Sequence, residues 1–309
     1  MKFNWTSRPL KEWRNYFELV ANMNWMQTWS YAQATHATDR LTSRLGLVTK
    51  SGQPMAVLCV QEINFGPIQI VNLKRGPLWL VPATEELFLE FAKTFREEFP
   101  KKMFQRLRWM PEMEVSDKTV EKLSTLGFRM RKENFVTSWL DLAPAPEILE
   151  KNLNQKWRNC LGKSFKSGLE VKIENNNTNL EVFLQHYNHH QQERKYRGPT
   201  NKFLKIELEN SEKTRDHFFL WAFQLGQPVA GMIINTHGKT AAYRIGWNTE
   251  TGRNTNAHYL LIWKAVLICK QMGLASFDLG GLLPDSAEGV THFKKGLSGQ
   301  EVKLITLGN

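Results

Sequence analysis

The run Gly-Gln-Pro-x-Ala occurs twice, as Gly52-Gln53-Pro54-Met55-Ala56-Val57 and as Gly226-Gln227-Pro228-Val229-Ala230-Gly231. The two copies lie about 170 residues apart, and no other feature constrains the fold as much. Each copy sits at the turn of an expected hairpin. The first lies between Leu45-Gly46-Leu47-Val48 and Val57-Leu58-Cys59-Val60, the second between Phe219-Leu220-Trp221-Ala222-Phe223 and Met232-Ile233-Ile234. Glycine and proline have backbone reasons to occupy such turns, so the motif alone could recur by chance. The order that follows it makes chance a poor account. Each hairpin leads to a strand with a basic residue, Lys74-Arg75-Gly76-Pro77 in one half and Tyr243-Arg244-Ile245-Gly246 in the other. A long helix with apolar residues at helical spacing comes next, over 85–99 and 257–272, and then a strand, over 104–109 and 275–279. Each half closes with a short helix ending at Gly127 or Gly296 and a last strand. The chain reads as a duplicated α/β unit.

Helix, helix, hairpin, strand, helix, strand, helix, strand is similar to the layout of the GNAT acetyltransferases. The expected architecture is therefore α/β (α+β): tandem GNAT-like acyltransferase domains, each a mixed sheet flanked by helices. A chain of 309 residues with 41% hydrophobic side chains is long enough for two cores. The Pro-rich stretch Ala143-Pro144-Ala145-Pro146 precedes a new amphipathic helix and reads as a linker, which gives domains over 1–143 and 144–309.

Lys plus Arg number 41 against 30 Asp plus Glu, a net charge of +11. This favours polyanionic partners such as RNA, nucleotide diphosphates or anionic lipid, without choosing among them, and a merely solubilising surface explains it equally well. Cys59, Cys160 and Cys269 are far apart in apolar or helical stretches, which suggests buried thiols in a reducing compartment rather than disulfides or a CxxC metal site. Lys2, Lys11, Arg14 and Glu18 interrupt the apolar residues at the start, so no signal-peptide core is read there, and no later segment has membrane-spanning length. The expected location is cytoplasmic.

Two segments stand out chemically. One is a basic helix over 151–166, with Lys151, Lys156, Arg158, Lys163 and Lys166, ending at Gly168 before a strand. It can track phosphates, although a solvated helical face accounts for the same residues. The other is Phe277-Asp278-Leu279-Gly280-Gly281, followed by Gly289-Val290-Thr291-His292-Phe293-Lys294-Lys295-Gly296-Leu297-Ser298-Gly299. A strand running into paired glycines lets backbone approach a ligand closely, and a basic pair on the next helix can meet developing negative charge. His186, His189 and His190 have i, i+3, i+4 spacing, but no nearby Cys completes a ligand set and a solvated helix face is the preferred reading, so no metal is assigned. Trp25, Trp29 and Trp157 read as core or rim aromatics, and as stacking platforms only if exposed.

Taken in order, these segments resemble the Fem family of peptidoglycan aminoacyltransferases. The resemblance includes Gln27-Thr28-Trp29-Ser30-Tyr31, Lys74-Arg75-Gly76-Pro77, and Leu126-Gly127-Phe128 with Thr137-Ser138-Trp139-Leu140-Asp141-Leu142. It continues through Lys156-Trp157-Arg158-Asn159 and Gly168-Leu169-Glu170-Val171 to the Asp-Leu-Gly-Gly and Phe-Lys-Lys-Gly segments, which are the most specific. It implies transfer of an amino acid from aminoacyl-tRNA to an amine of a peptidoglycan precursor or related acceptor, with no metal and no further cofactor. The lysine that family members often carry after the Gln/Trp segment is replaced by Gln33-Ala34-Thr35-His36, which implies a different acceptor contact. A coiled-coil arm, present in some members, is absent from the second half.

Aminolysis of an ester needs a neutral amine, an electrophilic carbonyl and donors for the tetrahedral oxyanion. Lys294 is the leading oxyanion donor and Lys295 its rival, with Asp278 either orienting the attacking amine or capping the following turn. By resemblance, Arg194, in Gln192-Glu193-Arg194-Lys195-Tyr196, is a candidate for gripping acceptor phosphate, and Tyr196 joins the substrate-binding set. Arg158 and Arg75 can do the same or be ordinary surface arginines. Tyr243, Arg244, Gly280, Gly281, His258, His292 and Phe293 complete the expected substrate-binding set. Two rivals stay open. Acyl-CoA as donor would make an N-acetyltransferase, but Thr251-Gly252-Arg253-Asn254-Thr255-Asn256-Ala257 is a poor pyrophosphate loop. The other rival is a catalytically silent RNA- or precursor-binding protein.

Overall fold

The computed structural model describes residues 1–6, 11–131, 135–212, 216–282 and 288–309. They form two compact units, 1–137 with 302–309, and 138–301. The chain begins with β1 (Lys2–Thr6), α1 (Lys11–Phe17), a 3-10 turn at Trp25–Gln27 and α2 (Trp29–Asp39). Next come β2 (Thr42–Lys50), β3 (Gln53–Phe65), β4 (Ile68–Lys74), β5 (Leu78–Trp79) and α3 (Glu85–Glu98). Then follow β6 (Gln105–Met110), α4 (Asp117–Thr125), β7 (Arg129–Met130), β8 (Phe135–Asp141), α5 (Pro146–Asn152) and α6 (Gln155–Phe165). The later elements are β9 (Glu170–Glu174), α7 (Leu180–Arg194), α8 (Asn201–Glu212), β10 (His217–Gln224), β11 (Gln227–His237) and β12 (Thr240–Asn248). The last are α9 (Glu250–Asn254), α10 (Ala257–Gln271), β13 (Ser276–Gly281), α11 (Glu288–Lys295), β14 (Gln300–Leu304) and β15 (Leu307–Gly308). Among the described residues no helix is long and apolar enough to cross a membrane.

The repeated Gly-Gln-Pro motif has one structural meaning in both copies. The hairpin β2–β3 turns through Ser51 and Gly52, and β10–β11 through Leu225 and Gly226, all four with positive φ. This is the turn geometry that matches the twist of the flanking strands, and glycine at the second position takes it without strain. Two residues further on, each hairpin carries the same bulge. Pro54 pairs with Thr49 and Ala56 with Val48, leaving Met55 extra, while Pro228 pairs with Phe223 and Ala230 with Ala222, leaving Val229 extra. The duplication thus holds at the level of hydrogen-bond register.

Both sheets are buried on two faces, which explains why their central strands read as continuous apolar runs. In the second unit Phe218, Leu220 and Ala222 meet Leu261, Ala265 and Cys269 of α10, whereas Phe219 and Trp221 meet Phe183 and Tyr187 of α7. In the first unit Leu58, Val71, Leu73 and Leu107 pack with Phe88, Phe91 and Phe95 of α3, and Leu45, Val57 and Cys59 pack with Trp13 and Phe17 of α1. Helix α3 starts where Thr84 Oγ1 accepts the Leu87 N–H, with Glu85 and Glu86 in its first turn.

The two sheets have the orders β1-β2-β3-β4-β6-β15-β7 and β9-β10-β11-β12-β13-β8-β14. Their sixth positions are exchanged. Strand β8 follows the first half in sequence but lies in the second sheet, and β15 follows the second half but lies in the first. The compact units therefore differ from the sequence division at 143/144, with the crossing at 137/138 and a return at 301/302. Leu307 of β15 pairs with Trp109 and Met130, and with Ile305 it joins the core of the first unit. The Pro-rich stretch is not a free linker either, since Pro146 opens α5. The basic helix expected over 151–166 is two helices, α5 and α6, separated at Leu153 and Asn154, where Asn154 caps α6.

Candidate active site

The site is set by a difference between two otherwise equivalent strand pairs. In the first unit β4 runs beside β6 without interruption, from Gln69↔Gln105 to Lys74↔Met110. In the second unit the corresponding β12 and β13 pair only from Thr240↔Ser276 to Ala242↔Asp278. Beyond that point β12 carries a bulge: Tyr243 pairs with Ile234 and Ile245 with Ile233, which leaves Arg244 as the extra residue. The bulge breaks regular pairing where the paired glycines end β13.

Lys294 of α11 is a charged group at this opening. It is buried, its Nζ donates to Gly281 O at 2.9 Å, and it lies 5.6 Å from the centroid of the Tyr243 ring. Burial lowers its pKa to about 8, against a smaller opposing pull from Asp278. At neutral pH it is mostly an ammonium held in a poorly solvated place, which is the condition for a strong oxyanion donor. Asp278 is buried, and its Oδ1 accepts the Gly280 N–H at 2.8 Å. This bond supports the positive φ of Gly280, where a Cβ would also sit 3.3 Å from Lys294 Nζ. Gly280, Gly281, Asp278, Tyr243 and Lys294 thus form one cluster.

A wall of aromatic and imidazole groups stands beside it. The His258 Nε2 lies 2.8 Å from Trp247 O. A carbonyl only accepts, so this nitrogen carries the proton. Burial lowers the His258 pKa to about 4, so its ring is neutral at pH 7. Tyr187 is buried in α7, is hydrogen-bonded to Tyr196, and has its hydroxyl pKa raised by desolvation. The Tyr196 hydroxyl also lies 3.3 Å from His190 Nδ1, and the His186 ring stacks on Trp247 with centroids 4.3 Å apart. Of the three histidines singled out by their spacing, His186 and His190 thus serve different contacts, and His189 is exposed. Among the described residues no group of His, Cys, Asp and Glu could hold a metal ion.

Several expected site residues do other work. Lys295 is exposed and pairs with Glu301 at 2.9 Å, so it is a surface ion pair rather than a rival oxyanion donor. His292 is exposed on α11, and Phe293 packs against Trp157 and Tyr259. Arg158 is tied to its own surroundings through Lys151 O and Gln155 Oε1. Arg75 belongs to the first unit, where its buried guanidinium makes a two-bonded pair with Glu112, Nε to Oε2 and Nη2 to Oε1 both at 2.6 Å. Arg244 is likewise buried, with Nη2 2.8 Å from Glu207 Oε2 and Nε bonded to both carboxylate oxygens. The pair ties the bulge to α8. Arg194 is exposed at the end of α7; burial first, and the Arg194 charge second, lower the pKa of His190. Trp157 is buried, whereas Trp25 and Trp29 are half-buried, so none is an open stacking platform.

Glu207 was not among the expected residues, although the sequence contained its signal. Leu204, Glu207, Leu208 and Ser211 occupy the i, i+3, i+4, i+7 stripe of α8 and all are buried. An acid in such a stripe demands a buried partner.

No family model and no curated protein matches the sequence. Among solved structures the chain is similar to FemX, with a TM-score of 0.80 over 98% of this chain and 96% of that chain at 12% identity. The chain has the FemX fold. The same fold is shared, at a TM-score of 0.60 and 14% identity, with the C-terminal domain of a putative lysylphosphatidylglycerol synthetase from Agrobacterium fabrum, covering 95% and 91% of the two chains. A tandem GNAT protein from the clavulanic acid biosynthesis pathway aligns at a TM-score of 0.54 and 11% identity, over 100% and 98%. The two units are GNAT-like domains in tandem, and the resemblance carried by the motifs extends to the FemX architecture.

Proposed function

We propose that this chain is an acyltransferase of Fem type, moving an aminoacyl group from aminoacyl-tRNA to an amine of a peptidoglycan precursor or related acceptor in the cytoplasm. The observation that carries the reading is the opening between β12 and β13, with the Lys294 ammonium beside it and the Arg244 bulge on its far strand. In the reaction the amine nitrogen attacks the ester carbonyl, and Lys294 donates to the oxygen that becomes negative. Collapse of the tetrahedral species forms the amide, breaks the ester C–O bond and leaves the ribose hydroxyl, which takes the proton lost by the amine. A cation already desolvated and oriented needs no rearrangement as that charge develops. The net charge of +11 and the exposed Lys151, Lys156 and Lys163 on α5 and α6, with Lys166 just after them, are consistent with a polynucleotide donor.

The acyl-CoA reading has less support. In the segment between β12 and α10 the Gly252 N–H is already taken by Thr249 Oγ1 and the Arg253 N–H by Thr249 O. These groups would otherwise cradle a pyrophosphate. The test is a donor competition with muramyl-pentapeptide precursors, using labelled total aminoacyl-tRNA or labelled acetyl-CoA and reading products by mass. Label from tRNA, lost in Lys294→Ala, is the expected result. Label from acetyl-CoA alone would replace the proposal with an N-acetyltransferase, and transfer from neither would favour a binding protein.

A further inference from the structure

We infer that the first unit carries a docking edge for anionic lipid bilayers, formed by the β3–β4 hairpin tip and the residues leading into β6. The tip is Gly66-Pro67, which sets Phe65 opposite Ile68. The Gln69 N–H donates to Phe104 O at 3.3 Å, and Gln69 pairs with Gln105, so the two segments share one end of the sheet. Here Phe65 is 76% exposed, Met103 89% and Phe104 54%. Strand alternation turns Leu107 and Trp109 into the core, which leaves Phe104 and Arg106 on the opposite face with Ile68. Four large apolar side chains, Phe65, Ile68, Met103 and Phe104, are thus exposed at one end of the sheet.

The charge around them indicates the occupant. Lys101, Lys102 and Arg106 are exposed beside the apolar group. No acidic residue occurs between Ile63 and Pro77 or between Phe99 and Pro111. Apolar side chains rimmed by cations, with no acid among them, match a bilayer surface: the apolar groups enter the boundary of headgroups and acyl chains while the cations meet phosphates. RNA would satisfy the cations but leave Ile68 and Met103 in water. Phe65 and Ile68 flank the hairpin tip and Met103 lies in the segment leading into β6, so the apolar groups come from two separate loops, which a deformable bilayer accepts without a fitted surface. This inference does not depend on the donor or acceptor proposed above.

The test is co-sedimentation of the full chain with vesicles of phosphatidylglycerol and phosphatidylcholine, beside vesicles of phosphatidylcholine alone. Binding is expected only with phosphatidylglycerol and should weaken as salt is raised. The K101Q/K102Q variant should lose about 30-fold in partitioning, the worth of two cations at such a surface. The F65S/M103S variant should lose about tenfold or more. All four positions are exposed, and unchanged circular dichroism will show that the variants fold. Absence of binding to phosphatidylglycerol, or equal binding by both variants and the parent, overturns the inference. So does finding, without vesicle binding, that labelled RNA binding or self-association is lost in the same variants, which would assign the edge to a polyanion or a second copy.

Discussion

Replacing Lys294 by methionine should stabilise the protein while removing its activity. The magnitude follows from the burial of the ammonium, which draws its pKa from 10.5 to about 8. That difference corresponds to about 3 kcal/mol of unfavourable solvation in the folded chain at pH 7. Methionine fills much the same space without the charge, but Gly281 O loses its 2.9 Å donor, at a cost of about 1 kcal/mol. The net gain at pH 7 is about 2 kcal/mol. Its pH dependence has a definite sign. Below pH 8 the folded and unfolded chains both hold the proton, so the whole cost is present. Between pH 8 and 10 the folded chain releases the proton first, and the stability of the parent protein rises. The cost falls from about 3 kcal/mol at pH 7 to about 2 at pH 9 and under about 1 at pH 10. Urea unfolding of Lys294→Met and its parent, followed by tryptophan fluorescence from pH 7 to pH 10, should give two curves that converge. A variant less stable than its parent at every pH, or a gap that does not change with pH, would refute the picture of a strained buried cation.

Lys295→Ala and His292→Ala should each change turnover by less than about twofold, whereas Lys294→Ala should lower it by about a hundredfold or more, because only the last removes a donor at the opening; steady-state kinetics on the donor identified above decide this. Glu207→Gln should cost about 3–5 kcal/mol in urea unfolding by removing the carboxylate that pairs with the buried Arg244 guanidinium, and the Glu207→Met, Arg244→Met double variant should be less harmful than either single change. Leu307→Asp should destabilise the first unit by about 4 kcal/mol or more, although it follows the second unit in sequence, and hydrogen exchange at Leu107 and Trp109 should accelerate first.

The parts of the fold legible in the sequence were those fixed by local chemistry. A turn with two positive-φ residues demands a Gly, and the bulge two residues later uses the following Pro, so Gly52 and Gly226 marked equivalent hairpins. Helix α3 showed its period because it lays an apolar stripe on a sheet, whereas α10, buried on most of its faces, read through its length and near-continuous apolar run. Strand partners are not local. The residues of β8 read clearly as a strand, but nothing within Phe135–Asp141 says which sheet completes itself with it. Pro146 misled for a related reason, since proline at the first turn of a helix has the same composition as proline in a linker. At the site, the segment holding Lys294 and Lys295 was legible, and the choice between them was not. It depends on the phase of α11, which buries one and leaves the other with Glu301. Arg75 and Arg244 show the same limit: a guanidinium in a motif reads alike whether it waits for a phosphate or is already held by Glu112 or Glu207.

The exchange of β8 and β15 also bears on how the molecule is made. During synthesis the first unit emerges with an unfilled place between β6 and β7, which residues 302–309 fill only after all of 138–301 has been translated. Until then Arg108 and Trp109 lack the strand that pairs with them, and a hydrogen-bonding edge stands open to other chains. The half translated first is therefore the half finished last, and the exposure of this edge ends only when the tail reaches it.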